Sequence, residues 1–219
     1  MSNNGLMTNP SYGTNRNPFN YEKVEQISRD IVTEWLTLEE ITQQLNLFQD
    51  ESQDTYLSSL EVAVRMAIED FIGLTIFPVQ YRCYYGATDT FGSPAFLDLP
   101  EVSEAGITIN EVAYYTTGSD GFSAVKNVLA STQYFYDQTG NKVIIQTLPD
   151  SINTSMSNPI QVTYSTKASF IAQYPVVKQA GLLLFTHLYN NRSNTSESIL
   201  REIPFGVAQL LRPYKPLVM

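Results

Sequence analysis

Nucleophilic catalysis of the triad type needs a histidine within reach of a serine or cysteine side chain. The chain contains one histidine, His187, and one cysteine, Cys83. His187 lies in an apolar helical pattern, where a packed histidine is far more common than a catalytic base. Cys83 lies in an alternating strand pattern and is interpreted as a small buried hydrophobic residue. The sequence therefore offers no nucleophile paired with a base.

Acid–base chemistry would need paired carboxylates. Glu39–Glu40 and Asp50–Glu51 are adjacent pairs, but neighbouring residues on a helix do not face each other. A glycosidase-type pair meets only in the fold, so the sequence leaves that alternative open. One cysteine excludes a cysteine cage and an intrachain disulfide, and no phosphate-binding glycine loop or H-E-x-x-H run occurs. We expect no enzymatic activity, no cofactor and no metal site.

The composition predicts an acidic, folded protein. The chain has 219 residues, 43% of them hydrophobic, with a formal net charge of −9 and a pI of about 4.5. Affinity for DNA comes from Lys and Arg that displace counterions, so a DNA-binding role is not favoured. The same charge suits either ordinary solubility or a surface that DNA passes without sticking.

The N-terminal residues and the hydropathy of the sequence indicate where in the cell the protein is made. MSNNGLMTNP has no basic region followed by an apolar run, so we expect no signal peptide. No apolar run approaches the ~20 residues of a membrane span. We expect synthesis in a reducing cytoplasm.

Helical patterns are predicted on both sides of a β-rich middle. Residues 1–19 are rich in Asn, Gly and Ser and are interpreted as a flexible arm. From residue 20 the apolar residues Val24, Ile27, Ile31 and Trp35 recur at helical spacing.

The next helix has a specific start signal. Thr37 and Glu40 have the spacing of a capping box, and Leu36 and Ile41 have the spacing of a hydrophobic staple, which predicts a helix over 38–45.

A third helix is predicted to begin at a cap on Asp54 and to end at Gly73. Its apolar stripe comprises Leu57, Leu60, Val64, Ala67, Ile68 and Phe71.

The apolar period then changes to two. VQYRCYY, ITINEVAYY and IQVTYS alternate as half-buried strands do. QYFYD and KVIIQ indicate a hairpin in which Gly140 supplies the turn. We therefore predict an antiparallel β module over residues 78–166.

The helical period returns at Pro175, and a short final helix stops at Pro213. Neither helical half alone has enough surface to bury, so the two halves must pack together. The predicted fold is α+β: an antiparallel helical bundle formed by 20–77 and 167–212, the inserted β module 78–166, and an apolar tail over 213–219.

Four segments in order carry a family resemblance. LTLEEITQQL, IEDFIGLTIFPVQY, YPVVKQAGLLLFTHLYNNR and IPFGVAQLLRPYK, with strands between the second and third, resemble the head–tail connector (adaptor, or head-completion) proteins of tailed bacteriophages. The resemblance covers about Trp35 to Lys215. The N-terminal residues 1–35 and the terminal PLVM depart from the family pattern.

The resemblance implies a structural protein of the virion neck. Members form a ring, commonly dodecameric, that docks beneath the portal, extends the DNA channel used in genome ejection, and carries the tail or a stopper protein. The expected partners are the portal, a tail, stopper or neck protein, and further copies of the chain. Genome DNA would pass through the lumen without sequence-specific binding, and no membrane is involved.

Two sets of residues are the candidate contacts under this hypothesis. The expected portal-binding tail comprises Arg212, Tyr214, Lys215, Pro216, Leu217, Val218 and Met219. The expected ring-interface residues are Val177, Lys178, Phe185, Tyr189 and Arg192. A β-rich carbohydrate- or receptor-binding module of a virion, suggested by the Tyr-rich strands, and a small hydrolase remain the alternatives.

Overall fold

The computed structural model of the protein describes residues 20–47, 51–86, 95–100, 106–191 and 205–215. The chain divides into two compact units. The sheet unit comprises Met1–Glu25, Tyr81–Pro100 and Ile109–Tyr164. The helical unit comprises Gln26–Gln80, Glu101–Thr108 and Ser165–Met219.

The described residues form both α-helices and antiparallel β-strands, which confirms the predicted α+β fold class. The α-helices are α1 (Leu38–Leu45), α2 (Asp54–Ile72), α3 (Pro175–Asn190) and α4 (Phe205–Leu211). The strands are β1 (Tyr21–Arg29), β2 (Val79–Tyr85), β3 (Ala95–Asp98), β4 (Ile107–Thr117), β5 (Ala124–Val128), β6 (Tyr134–Asp137), β7 (Lys142–Ile145) and β8 (Ile160–Thr166). Short 3-10 turns occupy Glu51–Gln53, Phe170–Gln173 and Arg212–Tyr214.

The strands form two antiparallel sheets. One has the order β1-β2-β8-β4-β5 and the other the order β3-β7-β6. The predicted hairpin is confirmed, since β6 pairs with β7 in antiparallel register. Its left-handed residue is Asn141, with φ 51°, rather than Gly140. An added Cβ at Gly140 would lie 2.9 Å from Oδ2 of Asp137, which is the end of a side chain that can shift.

The predicted helix from residue 20 is wrong, because Tyr21–Arg29 is strand β1. Val24 and Ile27, expected on a buried stripe, are exposed at 38% and 40%. The polar side chains make the contacts instead: the carboxylate of Glu25 accepts a 2.8 Å hydrogen bond from the Tyr84 hydroxyl. Pairing with β2 and polar contacts therefore override an apolar spacing that fits a helix.

The predicted capping box at the start of α1 is confirmed. The Thr37 side chain accepts from the Glu40 N–H at 3.2 Å, and the Glu40 carboxylate accepts from the Thr37 N–H at 3.0 Å. Leu36 and Ile41 are both 1% exposed in the core, as a hydrophobic staple requires.

The predicted C-terminal end of α2 is confirmed, but its predicted N-terminal cap is wrong. Gly73 ends the helix in the left-handed conformation with φ 80°. Asp54 is the first helical residue rather than the cap, because the 3-10 turn before it places Gln53 at the cap position without a capping side chain.

The core of the helical unit is centred on α3, which contacts α1, α2 and α4. Its close approach to the segment before α1 depends on Gly181, where an added Cβ would lie 2.7 Å from the Trp35 ring. The Trp35 indole is fixed by a 3.0 Å hydrogen bond from Nε1 to the Ala172 carbonyl. The fully buried members include Leu57, Val64, Ile68, Ile76, Val177, Ala180, Phe185 and Leu211.

Helix α2 also buries charged side chains, one turn apart. The Glu61 carboxylate accepts from the Trp35 N–H at 3.2 Å. Arg65 is 1% exposed and donates to the Thr33 carbonyl at 2.9 Å. Its guanidinium lies 4.7 Å from the centroid of the Phe77 ring. These contacts fix the segment before α1 along the side of α2.

One turn further on, Glu69 fixes the segment after α2. Its Oε1 accepts from the Ile76 N–H at 2.7 Å, and its Oε2 lies 3.4 Å from Arg29. Burial raises the pKa of Glu61 and of Glu69, although arginine and backbone N–H groups oppose the shift. Buried charges of this kind are costly to leave unpaired.

Strand β2 has the predicted alternation, with Val79, Tyr81, Cys83 and Tyr85 buried and the residues between them half-buried. Burial raises the pKa of the Cys83 thiol to about 12. A thiol with this pKa carries almost no thiolate at neutral pH, which agrees with a packing role.

Candidate interaction surfaces

The C-terminal helix α4 belongs to the core of the helical unit. Val207 is 2% exposed and Leu211 is fully buried, and α4 contacts α3. The helix therefore fixes the position of the residues that follow it.

The start of the predicted tail is packed rather than loose. Tyr214 stacks on Tyr174 with ring centroids 5.5 Å apart, and Nζ of Lys215 lies 3.8 Å from the centroid of the Phe71 ring. These aromatic contacts hold Tyr214 and Lys215 against the helical unit. Arg212 and Lys215 are both exposed. The remaining tail residues Pro216, Leu217, Val218 and Met219 lie outside the described residues.

The predicted ring-interface residues are divided between core and surface. Val177 and Phe185 are fully buried in the core, so their side chains are not presented at a surface of the helical unit. Apolar helical spacing alone did not distinguish core from interface. Arg192 lies outside the described residues.

Lys178 and Tyr189 keep part of their surface and make polar contacts. Nζ of Lys178 lies 2.7 Å from the carboxylate of Glu40. Burial would raise the pKa of Glu40, but hydrogen bonds from Lys178 and from the backbone of Thr37 leave that pKa lowered. The Tyr189 hydroxyl donates to Gln53 at 3.0 Å.

One surface was missed in the sequence: the outward face of the three-stranded sheet. Phe96 of β3 and Phe135 of β6 both lie opposite Ile144 of β7. The two phenylalanines are exposed at 47% and 50%. AFLD, YFYD and KVII each contain three consecutive apolar or aromatic residues, so the sequence could show neither which side chains face outward nor that the three strands pair.

Among the residues that the structure describes, no group of three His, Cys, Asp or Glu side chains is placed to hold a metal ion. His187 is half-buried near the end of α3, where its carbonyl accepts from the backbone and side chain of Asn191. No helix in the described ranges is long and apolar enough to cross a membrane.

Comparison with known proteins gives a fold and no sequence family. No family model and no curated protein matches the chain. Solved structures do match, among them chains of gene transfer agent (GTA) particles. A chain of the virion of the native GTA particle has 18% identity and a TM-score of 0.59. A chain of the neck of the empty GTA particle, computed with C6 symmetry, has 17% identity and a TM-score of 0.58. A chain of the neck of the native particle, computed with C12 symmetry, has 18% identity and a TM-score of 0.56.

The likeness extends over nearly the whole of both chains. In each case it covers 90% of this chain and 97% of the other. The protein therefore shares its fold with chains of GTA virion and neck structures.

Proposed function

We propose that the protein is a structural component of the neck of a phage-like particle, namely a ring-forming head–tail adaptor. It docks beneath the portal, extends the DNA channel and provides the platform for a tail or stopper protein. It is made in the host cytoplasm and resides in the virion, at the head–tail interface. The observation that carries the proposal is the shared fold with GTA neck chains over 90% of this chain.

Assembly into a ring needs one surface of each copy to meet a different surface of the next. In this proposal the helices of the helical unit form a bundle that makes the lateral contacts. Lys178 and Tyr189, which remain partly accessible on α3, are the candidates that the structure leaves at a surface. The neck reconstructions with C6 and C12 symmetry support a ring, and the C12 symmetry supports twelve copies in it.

The lumen of such a ring would face DNA. The formal net charge of −9 gives a surface that repels phosphates, so the duplex would pass without adhering. DNA is therefore cargo of the assembled ring and not a ligand of the chain.

Attachment to the portal is assigned to the end of the chain. Packing of Tyr214 and Lys215 on the helical unit fixes the point from which Pro216 continues. Burying Leu217, Val218 and Met219 would contribute at most about 1.5–3 kcal/mol each. Ordering the segment offsets much of that gain. Repetition around a ring would then turn a weak contact into a durable joint.

Truncation after Lys215 tests the attachment. The variant loses Pro216–Met219 but keeps the contacts with Tyr174 and Phe71. We expect unchanged unfolding by Trp35 fluorescence and loss of co-purification with portal rings. Phe122→Ser, which removes a side chain 95% exposed in the sheet unit, serves as the control and should bind portals normally.

The experiment distinguishes a wrong assignment of the portal anchor from a wrong function. A truncated protein that still joins portals would show that the end of the chain is not the anchor. Full-length protein that joins neither portals nor neck components would contradict the proposed function itself.

A further inference from the structure

The outward face of the three-stranded sheet carries an apolar row across its full width. Phe96, Ile144 and Phe135 lie on adjacent strands β3, β7 and β6 at directly opposed positions. Opposed residues in an antiparallel pair project from the same face. Both phenylalanines remain about half exposed, at 47% and 50%. Together with Ile144 they form a continuous apolar strip that a second segment could cover.

The next row of the same face is charged and acidic on balance. Asp98, Lys142 and Asp137 are again opposed on the three strands. Nζ of Lys142 lies 2.8 Å from the carboxylate of Asp98. One ammonium thus faces two carboxylates, which leaves a net negative charge beside the aromatic row. A suitable occupant is apolar and carries a positive charge.

The chain enters the described part of the sheet unit at the edge of this face. The Asn20 side-chain amide donates to the Phe96 carbonyl at 2.5 Å, and its oxygen accepts from the Asp98 N–H at 2.9 Å. The Asn20 N–H also donates to the Asp98 carboxylate at 3.2 Å. Asn20 therefore caps the free edge of β3 and fixes the residue that follows the N-terminal arm, 1–19.

The residues of the arm nearest to Asn20 match the chemistry of the face. Pro18 and Phe19 are apolar, and Arg16 is the only charged residue of 1–19. Strands lie about 4.8 Å apart, so the row from β3 to β6 spans about 10 Å. An extended chain covers up to about 3.3 Å per residue, and the four steps from Asn20 to Arg16 are long enough to cross it.

We propose that residues 16–19 lie across the outward face of the three-stranded sheet of the same chain. Pro18 and Phe19 cover the row Phe96–Ile144–Phe135, and Arg16 pairs with the carboxylate of Asp137. The anchor at Asn20 holds the segment at high local concentration over the face, which favours this occupant over a separate partner. The N-terminal arm is then a cover for an aromatic surface.

Amide hydrogen exchange of the full chain tests the proposal. We expect amides of 16–19 to exchange at least tenfold more slowly than in the free peptide of the same sequence. The double variant Phe96→Ser/Phe135→Ser should raise their exchange to the free-peptide rate. Phe122→Ser is the matched control, since it removes an equally large exposed side chain elsewhere in the sheet unit and should change nothing in the arm.

The controls keep the result interpretable. Unchanged protection of the β6–β7 hairpin amides shows that the double variant is folded, and Arg16→Glu supplies a second test that leaves the sheet untouched. Arg16→Glu should speed exchange of 16–19 several-fold. Exchange at the free-peptide rate in the unmodified protein, or equal protection in the unmodified protein and the double variant, would overturn the proposal.

Disulfide trapping separates cover by the same chain from cover by a neighbour. The single native cysteine is buried, so Pro18→Cys with Phe135→Cys introduces the only accessible pair among the described residues and the arm. We expect an intrachain disulfide whose yield does not depend on protein concentration. A disulfide that forms only between chains would contradict cover by the same chain.

Discussion

Two carboxylates of the helical unit and one turn carboxylate of the sheet unit serve different purposes. In the helical unit Glu61 and Glu69 are buried and accept hydrogen bonds from the backbone of Trp35 and Ile76, which lie outside helix α2. In the sheet unit Asp120 is exposed in a turn and accepts from Phe122, two residues away. The first arrangement joins separate segments, whereas the second only shapes a turn.

The pKa directions follow from the same difference. Burial raises the pKa of Glu61 and of Glu69. Hydrogen bonds from the backbone of Ser123 and Phe122 lower the pKa of Asp120. The pKa of these three carboxyl groups therefore rises where burial dominates and falls where hydrogen bonds to an exposed carboxylate dominate.

The largest effect is expected from Glu69→Ala. It removes the acceptor of the Ile76 N–H and leaves Arg29 without its carboxylate, so it should lower the free energy of unfolding by about 3–5 kcal/mol. Urea denaturation followed by fluorescence of Trp35, the single tryptophan, measures this in the helical unit. Asp70→Ala, one residue later on the exposed side of α2, should stay within about 0.5 kcal/mol. Equal losses in both variants would remove the distinction between buried and exposed acids.

Gly181→Ala tests the helical unit without changing a charge. The added Cβ would lie 2.7 Å from Trp35, whose indole is hydrogen-bonded and cannot move aside freely. Overpacking should cost about 1–3 kcal/mol in the same denaturation measurement.

Gly206→Ala is the matched control for that substitution. An added Cβ at Gly206 has no atom within 4 Å, and the residue lies in helix α4. It should therefore stabilise by about 0.5–1 kcal/mol. A neutral Gly181→Ala would show that the contact between α3 and Trp35 is loose.

The smallest effect is the pH response of the Asp120 turn. Because its folded pKa lies below the ordinary value of 3.8, its contribution to stability is present above that pH and is lost as the pH falls through the lowered pKa. Exchange of the Phe122 and Ser123 amides, corrected for the intrinsic rate, should rise there, and Asp120→Asn should abolish the change. An unchanged rate would contradict the role given to the carboxylate.

The buried acids of the helical unit should respond in the opposite direction. The folded pKa of Glu61 and of Glu69 lies above the ordinary value of 4.5. The part of the free energy of unfolding that depends on their protonation is fully present below that pH. It is lost as the pH rises through the raised pKa. If the free energy of unfolding of the helical unit rises with pH above 4.5, the direction of both pKa shifts is contradicted.

Two local signals in the sequence predicted the structure correctly, whereas one strand that depends on long-range pairing was missed. The capping box at Thr37 and the stop at Gly73 involve residues within one turn of each other, so the sequence alone predicted them. The strand at Tyr21–Arg29 was missed because its partner β2 begins only at Val79, far along the sequence. Spacing of apolar residues cannot show which strand will pair with them.

Prediction of the candidate surfaces from the sequence failed for the same reason. Val177 and Phe185 fit an interface as well as a core by type and spacing, and only the fold shows that they are buried. The row Phe96–Ile144–Phe135 exists because three strands pair in one register. Neither result could come from a single segment of sequence.

Cryo-electron microscopy of portals assembled with this protein tests the central claim most directly. We predict a closed ring of this chain beneath the portal, with the residues after Lys215 in contact with portal subunits and acidic side chains lining the lumen. A particle with no ring of this chain at the neck would contradict the proposed function. A ring with a lumen lined mainly by Lys and Arg would contradict the passage of DNA past a repelling surface.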